Sequence, residues 1–467
     1  MGVLSTSGTP SASRRLAPSH VRWQIFGLSC ATSWTLYLHR YTFAIIMPTL
    51  AEQWGVSQSG LGFMQSAFYS SYVALQVPTG LLVDRLGTHL FLGGIVLAWS
   101  GVLALHAWAP TPAAMYWVRL LFGVTQAGCY PALGKVTQAW FPLSIRTSLQ
   151  GWIASFFGRM GGFTANLLFA SVMLGFLGLD WRTSILLLAG WGVVLGVAVL
   201  IVFRNSPAAH PHVNAAELAI IEDGQPADDG TLVEEATTFL HSPVAAESRS
   251  RGAVLWRWSQ GISARSAANL GFFLLQFFGA TFADTIYVVW MPSVLKQVHG
   301  MDNLQMGIFA SLPLLGGALG GVLGGYINDF LIRVIGRRWA RSVVGCVGNA
   351  SAGLLVLVAL AFIEEPAVFC GLLFCAKVFS DWAQPTTWGT VTDISGPYAA
   401  TIFGLGNGVG GLGTVIAAPA LGMVAERFSW YAVFLLIAAT YAISSLVWLA
   451  VNCTIPVFTT GTRQPHA

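Results

Sequence analysis

Long apolar runs, separated by short polar or glycine- and proline-bearing breaks, follow one another along almost the whole chain. A helix needs about 20 apolar residues to cross the hydrocarbon of a bilayer. Twelve runs reach that length, at approximately 23–49, 59–83, 88–108, 113–139, 146–176, 183–203, 266–294, 304–332, 340–362, 366–391, 398–425 and 430–453. Closed barrels, the other spanning solution, need short alternating strands, and these runs are too long and too uniformly apolar for that. The one long polar stretch, 204–265, divides the runs six and six. It holds Glu217, Glu222, Asp223, Asp228, Asp229, Glu234, Glu235 and Glu247 before an arginine cluster, and reads as a solvated linker with a short helix around 214–223. The basic-aromatic LWRWSQ at 255–260 is suited to the membrane surface.

The pattern predicts an all-α membrane protein with twelve transmembrane helices in two pseudo-symmetric six-helix bundles. Its parts are a disordered cytoplasmic tail (1–22), a first bundle (23–203), a cytoplasmic loop (204–265), a second bundle (266–453) and a closing cytoplasmic tail (454–467).

Composition strengthens this reading. Only 9% of residues are charged against 55% hydrophobic, and the mean hydropathy is +0.67; a soluble domain carries roughly 25% charged residues. The 52 glycines suit close helix approach and the 18 tryptophans suit interfacial belts. The net charge of +4 is not gathered into a patch that would bind nucleic acid. Basic residues collect instead on one side: Arg14, Arg15 and Arg22 before the first run, Arg85, Arg146, the arginines of the central loop, and Arg333, Arg337, Arg338 and Arg341. By the positive-inside rule both termini and the central loop are cytoplasmic. The six cysteines fall in apolar runs without metal-ligand spacing, so no metal or cofactor is expected. The first run has no convincing cleavage site and is retained as helix 1.

The chain also repeats itself. MPTLAEQW from Met47 returns as MPSVLKQV from Met291, and GLLVDRLG from Gly80 returns as GGYINDFL from Gly324, matching Asp84 with Asp329. LDWRTSILLL (179–188) likewise matches FSWYAVFLLI (428–437). Six crossings separate matched segments, so the repeats are parallel, related by an axis along the membrane normal, and a substrate site is expected between them. Extending the Met47–Met291 register places Arg40 opposite Asp284, two ionisable residues deep in apolar segments, where such groups are costly and usually functional.

These features resemble the major facilitator superfamily. Gly80, Asp84, Arg85 and Gly87 match its signature loop after helix 2, and Arg119, Gly123 and Ala127 match the RxxxGxxxA of helix 4. YLHR (37–40), SAFYSSYVALQVPTGLLVDRLG (66–87), VRLLFGVTQAGCYPA (118–132) and WFP (140–142) resemble more narrowly the anion:cation symporter family, which includes hexuronate, galactonate, tartrate and sulfonate transporters, sialin and the vesicular glutamate carriers. In proton-coupled relatives an aspartate precedes the helix 1 arginine and a glutamate occupies the GxxEA of helix 4. Here those positions are His39 and Gln126, which puts proton coupling through them in doubt.

Arg40 is the principal candidate, because its planar, permanently charged fork matches carboxylate or sulfonate oxygens; a structural ion pair is the alternative. Asp284 could pair with Arg40, take up a proton when the anion arrives, or pair permanently with another cation. Lys377 and Asp381 share a helix face and read as a structural bridge, or as a second anion site gated by the acid. Arg159, in the middle of helix 5, would suit a second acidic group, or could serve packing. Tyr37 shares the Arg40 face; Tyr72 and Gln76 form an i,i+4 pair; Asn407 matches a family asparagine and aligns through the repeat near Arg159. Each could bind substrate hydroxyls or simply join helices. Gln126 can hydrogen-bond but not titrate. His39 can titrate, yet faces away from Arg40 and reads chiefly as a packing residue. The resemblance assigns Gly80, Asp84, Arg85, Gly87 and Asp329 to gating, and Arg119 to organising helix 4.

The resulting expectation is a secondary transporter, not an enzyme. It imports a small organic anion, such as a hexuronate, an aldonate, or a carboxylate or sulfonate, by alternating access with proton symport. An uncoupled facilitator or anion exchanger is the competing reading. The expected setting is a monomer in a bacterial inner membrane, with the lipid bilayer as its surroundings and no catalytic residues.

Overall fold

The computed structural model describes residues 17–222, 262–395 and 399–457. The segment 255–260, with the arginines around it, therefore lies outside the described residues. All regular structure among the described residues is helical. The long helices are α1 (Val21–Trp54), α2 (Gln58–Leu86), α3 (Thr88–Trp108), α4 (112–140, with a turn at 127–128), α5 (143–176) and α6 (Trp181–Val202). After the polar stretch come α7 (264–299), α8 (303–335), α9 (337–361), α10 (366–395), α11 (Ala399–Arg427) and α12 (Trp430–Ala450). Helices α8 and α9 run together except at Gly336, whose φ of 79° is a left-handed conformation that glycine adopts without a steric penalty.

Hydropathy is not shared evenly. Helices α3, α6, α7, α10, α11 and α12 and the α8–α9 segment are long and apolar enough to cross a membrane on composition alone. Helices α1 and α2 fall short despite 34 and 29 residues. They are the helices that carry Tyr37, Arg40, Tyr72 and Gln76, so local polarity marks where the chain departs from lipid-facing design.

Among the described residues, three π-helical stretches interrupt the spans, at Trp152–Phe157 and Ala165–Phe176 in α5 and at Ile286–Trp290 in α7. Such wide turns often accompany functional sites. The first closes just before Arg159, and the last opens just after Asp284.

Each bundle fastens its first helix to the residues that follow its sixth. In the first bundle the short helix Ala215–Glu222 brings Glu217, fully buried, under the start of α1. Its carboxylate accepts the Ser19 hydroxyl and the backbone N–H groups of Val21 and Arg22, both at 2.9 Å. Burial raises its pKa, but these donors outweigh burial and hold the carboxyl below its ordinary value. In the second bundle Asn269 donates to Asn452 O (2.9 Å) and accepts Asn452 N–H (2.7 Å), while Ser266 donates to Pro456 O (2.8 Å).

The halves meet closely at one end. Ser59 donates twice to Glu426, Ser66 donates to Val415 O at 2.6 Å, and Ser171 to Leu304 O at 2.8 Å. Lys296 stands 3.3 Å from Glu52. A Cβ on Gly62 would come within 2.5 Å of Ala418 O, and one on Gly422 within 2.7 Å of Gln58 O, so backbone rests on backbone across this seam. Towards the termini, no hydrogen bond or ion pair between described residues joins the halves beyond the depth of Arg159 and Asp381. The halves are thus joined at the end away from the termini, and the interval between them that holds Arg159 and Asp381 is the cleft.

Candidate functional site

Two groups of polar side chains make up the candidate site. The first is built on α1, α2 and α4 around Arg40. Arg40 is 5% exposed, and its Nε donates to Gln126 Oε1 at 3.2 Å. The Gln126 amide in turn donates to Leu36 O at 3.3 Å, which fixes the orientation of its oxygen. The guanidinium lies 4.5 Å from the Tyr72 ring centroid, 4.8 Å from Tyr37 and 5.1 Å from Phe68. Such cation–π contacts contribute about 0.5–2 kcal/mol each and leave the in-plane N–H groups free for oxygen ligands. Nη2 has no hydrogen-bond partner among the described residues. A buried charged donor left unpaired is costly, and an anionic oxygen would satisfy it.

Arg119 repeats the arrangement one layer deeper. It is fully buried, donates from Nη2 to Gln65 Oε1 at 2.5 Å, and packs on Phe43 (4.4 Å) and Phe68 (4.7 Å), so Phe68 separates the two guanidinium groups. Its Nε and Nη1 are also without partners among the described residues. Neither arginine has a carboxylate within ion-pair distance among those residues. The side chains that hold them, Gln126 on Arg40 and Gln65 on Arg119, are neutral amides. His39 itself is fully buried and turned to α6, where a Cβ on Gly192 would come within 2.6 Å of its Cε1. It is not part of the cleft.

The second group joins the halves, with Arg159 on α5, Asp284 on α7 and Lys377 and Asp381 on α10. Lys377 bonds Asp381 Oδ1 at 2.6 Å and also pairs with Asp284 Oδ1. Asp381 Oδ2 reaches across the cleft to Arg159 Nη1 at 2.5 Å. Four charges thus run Arg159, Asp381, Lys377, Asp284. The middle pair is covered, at 4% and 1% side-chain exposure, while Arg159 (25%) and Asp284 (33%) open to the cleft. Asp284 lies on Lys377 rather than on Arg40, so the two residues that the repeat aligns are not an ion pair. The i,i+4 pair on α10 forms as the spacing predicts, but as the centre of a larger network.

The remaining candidates are placed less tightly. Tyr37 is partly buried between Arg40 and α5, where its ring rests on Gly158. Gln76 is partly buried one turn beyond Tyr72, and Asn407 is exposed in the middle of α11. Of the residues that the family resemblance assigns to gating, Gly80 faces Pro131, Arg85 and Asp329 are exposed, and Gly87 (φ 78°) abuts Asn205, whose side chain also accepts His89 N–H at 2.7 Å. The Asp84 side chain lies outside the described residues. Sequence reasoning missed Gln65, the partner of Arg119, and Ser33 with Tyr130, which bond at 3.0 Å behind Tyr37. Ser33, two turns before Arg40 on α1, was the one such residue with a signal in its spacing; Gln65 lies on a different helix from Arg119 and had none.

The model of the Major Facilitator Superfamily matches residues 30–413 and 272–464. The chain belongs to that superfamily. Superfamily members are membrane transporters rather than enzymes, which agrees with a site made of fixed charges and aromatic rings. Among similar proteins, a probable sulfoacetate transporter of Cupriavidus necator is 26% identical over 92% of this chain and 94% of its own length. A probable galactarate/D-glucarate transporter of Escherichia coli K12 is 26% identical over 73% of this chain and 78% of its own. The fold is that of a bacterial homologue of the lysosomal transporter Spinster, solved in an inward-facing, unoccupied conformation. The TM-score is 0.69 at 15% identity, over 93% of this chain and 98% of that one.

The amide at Gln126 gives a direct check on the Arg40 group. Gln126→Glu puts a carboxylate 3.2 Å from Arg40 Nε, where it competes with an incoming anion. Substrate affinity is expected to fall about tenfold, equivalent to one charge-assisted hydrogen bond. Equilibrium binding to purified protein above pH 7 reads this out, and unchanged affinity would separate Gln126 from the anion site.

Proposed function

We propose that this protein carries a small organic anion across a bacterial inner membrane by alternating access, with Arg40 as the principal clamp. The observation that carries the reading is the buried Arg40 guanidinium, which has an unpaired Nη2 and no carboxylate counter-ion among the described residues. An anion completes such a site, whereas a cation would be repelled by Arg40 and Arg119 together. The substrate class is a sugar acid or a short carboxylate or sulfonate, in keeping with relatives named for sulfoacetate and for galactarate and glucarate. Tyr37, Tyr72, Gln76 and Asn407 supply the hydroxyl and amide groups that would recognise a polyol chain. The seam between Ser59, Ser66, Ser171 and their partners parts, and the termini end closes, as the halves rock. The signature loop, from Gly80 to Gly87, latches the alternate form. One chain suffices, since each half contributes its own face of the cleft.

Proton symport is assigned to Asp284, the acid of the network that is open to the cleft. A second reading, uncoupled facilitation or exchange, is favoured by His39 and Gln126 at the positions of the family's acids. Uptake into proteoliposomes of aldonates, hexuronates, aldarates and sulfoacetate, with and without an inward proton gradient, tests both. Accumulation that collapses with a protonophore is expected for symport. Equilibration unaffected by the gradient would assign the uncoupled mechanism, and no uptake of any panel member would overturn the transporter reading of this site.

A further inference from the structure

We infer that Arg159 is a second anion subsite, filled in the empty protein by Asp381, and that it selects substrates bearing two acidic groups. This rests on the reading of Arg40 as the first clamp.

Three observations support it. Asp381 Oδ2 sits 2.5 Å from Arg159 Nη1, the position a substrate carboxylate would take, and the two residues belong to opposite halves. Room for this contact is built in: a Cβ on Gly317 would collide with Asp381 Oδ2 and lie 3.1 Å from Arg159 Nη1. Asp381 also has another cation to fall back on, because Lys377 already holds its Oδ1 at 2.6 Å. When an external carboxylate displaces Asp381 from Arg159, the acid is therefore not stranded without a partner, a condition that would otherwise make displacement very costly. Arg159 keeps a quarter of its side chain open to the cleft, while Asp381 and Lys377 are covered, so the cation is the member of the pair that a solute can reach.

Arg159 and Arg40 serve one cleft. Tyr37 stacks under the Arg40 guanidinium at 4.8 Å, and the same ring rests on Gly158, the chain neighbour of Arg159, where a Cβ would come within 2.9 Å of Cε2. A substrate with an acid at each end spans the edge of Tyr37 and engages both forks. A one-acid substrate satisfies Arg40 alone and leaves Asp381 in place. Discrimination then arises from competition: the second acid must outbid a resident carboxylate, which a hydroxyl or aldehyde cannot do. Because both arginines lie in the first half, the exchange also removes the ion pair that joins the halves at this depth.

The test is binding of matched pairs to the purified full chain: galactarate against galactonate, and sulfoacetate against acetate. Wild-type protein is expected to prefer the two-acid member of at least one pair. Arg159→Gln should weaken that member about tenfold or more while changing its one-acid partner less than about threefold. Arg159→Lys, which keeps the charge and loses the fork, should fall between. Asp381→Asn removes the competitor and should tighten two-acid binding several-fold. Equal weakening of both members by Arg159→Gln, weaker two-acid binding in Asp381→Asn, or a wild type without two-acid preference overturns the inference but leaves the Arg40 clamp intact. If no member of either pair binds wild type while Arg40→Ala also has no effect on uptake of any panel anion, the underlying reading falls as well.

Discussion

Arg40→Ala is expected to lower initial uptake of the best substrate at least about 100-fold. A bidentate contact between a guanidinium and a carboxylate has two charge-assisted hydrogen bonds, each contributing about 1.5–3 kcal/mol where water is excluded. A loss of about 2.8 kcal/mol already corresponds to a factor of 100. Arg40 is 5% exposed and held between the Tyr37, Tyr72 and Phe68 rings, so no neighbouring cation can swing into its place. The same packing means that alanine leaves a cavity, and Arg40→Lys is the companion variant. It fills much of the volume and keeps the charge but cannot present two parallel donors, and should retain a few per cent of uptake. Rates are compared in proteoliposomes at equal reconstituted protein. An alanine variant that keeps half of wild-type uptake removes Arg40 from the site.

The second large effect concerns stability. Lys377→Met leaves Asp284 and Asp381 facing one another without the ammonium that now bonds both. Removing one partner of a fully buried ionic pair costs about 3–5 kcal/mol, and here water that reaches Asp284 from the cleft reduces that cost. Arg159 still offsets Asp381, so the residual burden falls on Asp284. Adding Asp284→Asn to the methionine variant should therefore restore most of the loss, a coupling that distant, independent sites do not show. The midpoint of thermal unfolding in detergent reports both. A methionine variant as stable as wild type would mean that the four charges are not a unit.

Much of the fold is written in the sequence, because lipid forces every span to declare itself by length and apolarity. The twelve runs recur as helices α1 to α12, with ends shifted by a few residues, as at Val21. What hydropathy cannot carry is the rotation of one helix against the next. The Lys377–Asp381 pair was legible because both residues ride one helix at i,i+4. The Arg159–Asp381 and Lys377–Asp284 pairs were not, since they depend on how α5, α7 and α10 cross, and the π-helical turns beside Arg159 and Asp284 alter that crossing without a residue pattern to announce it. The repeat set Arg40 and Asp284 on matched helices α1 and α7 but left open whether Asp284 pairs with Arg40 or with another cation; the crossing of α7 with α10 puts it on Lys377. Glu217 shows the same limit in the polar segment. A short helix was evident from spacing, but its role in holding the start of α1 requires knowing what lies above it.

The fastening of each bundle at its own first and last segments has a topological consequence. Glu217 closes the first six helices into a ring, and Asn269 with Asn452 closes the second, so neither ring relies on the covalent connection between them for its integrity. Cutting that connection would leave two self-bounded modules whose recognition of each other resides in the α2–α11 and α5–α8 seams, much as two subunits of a dimer find one another.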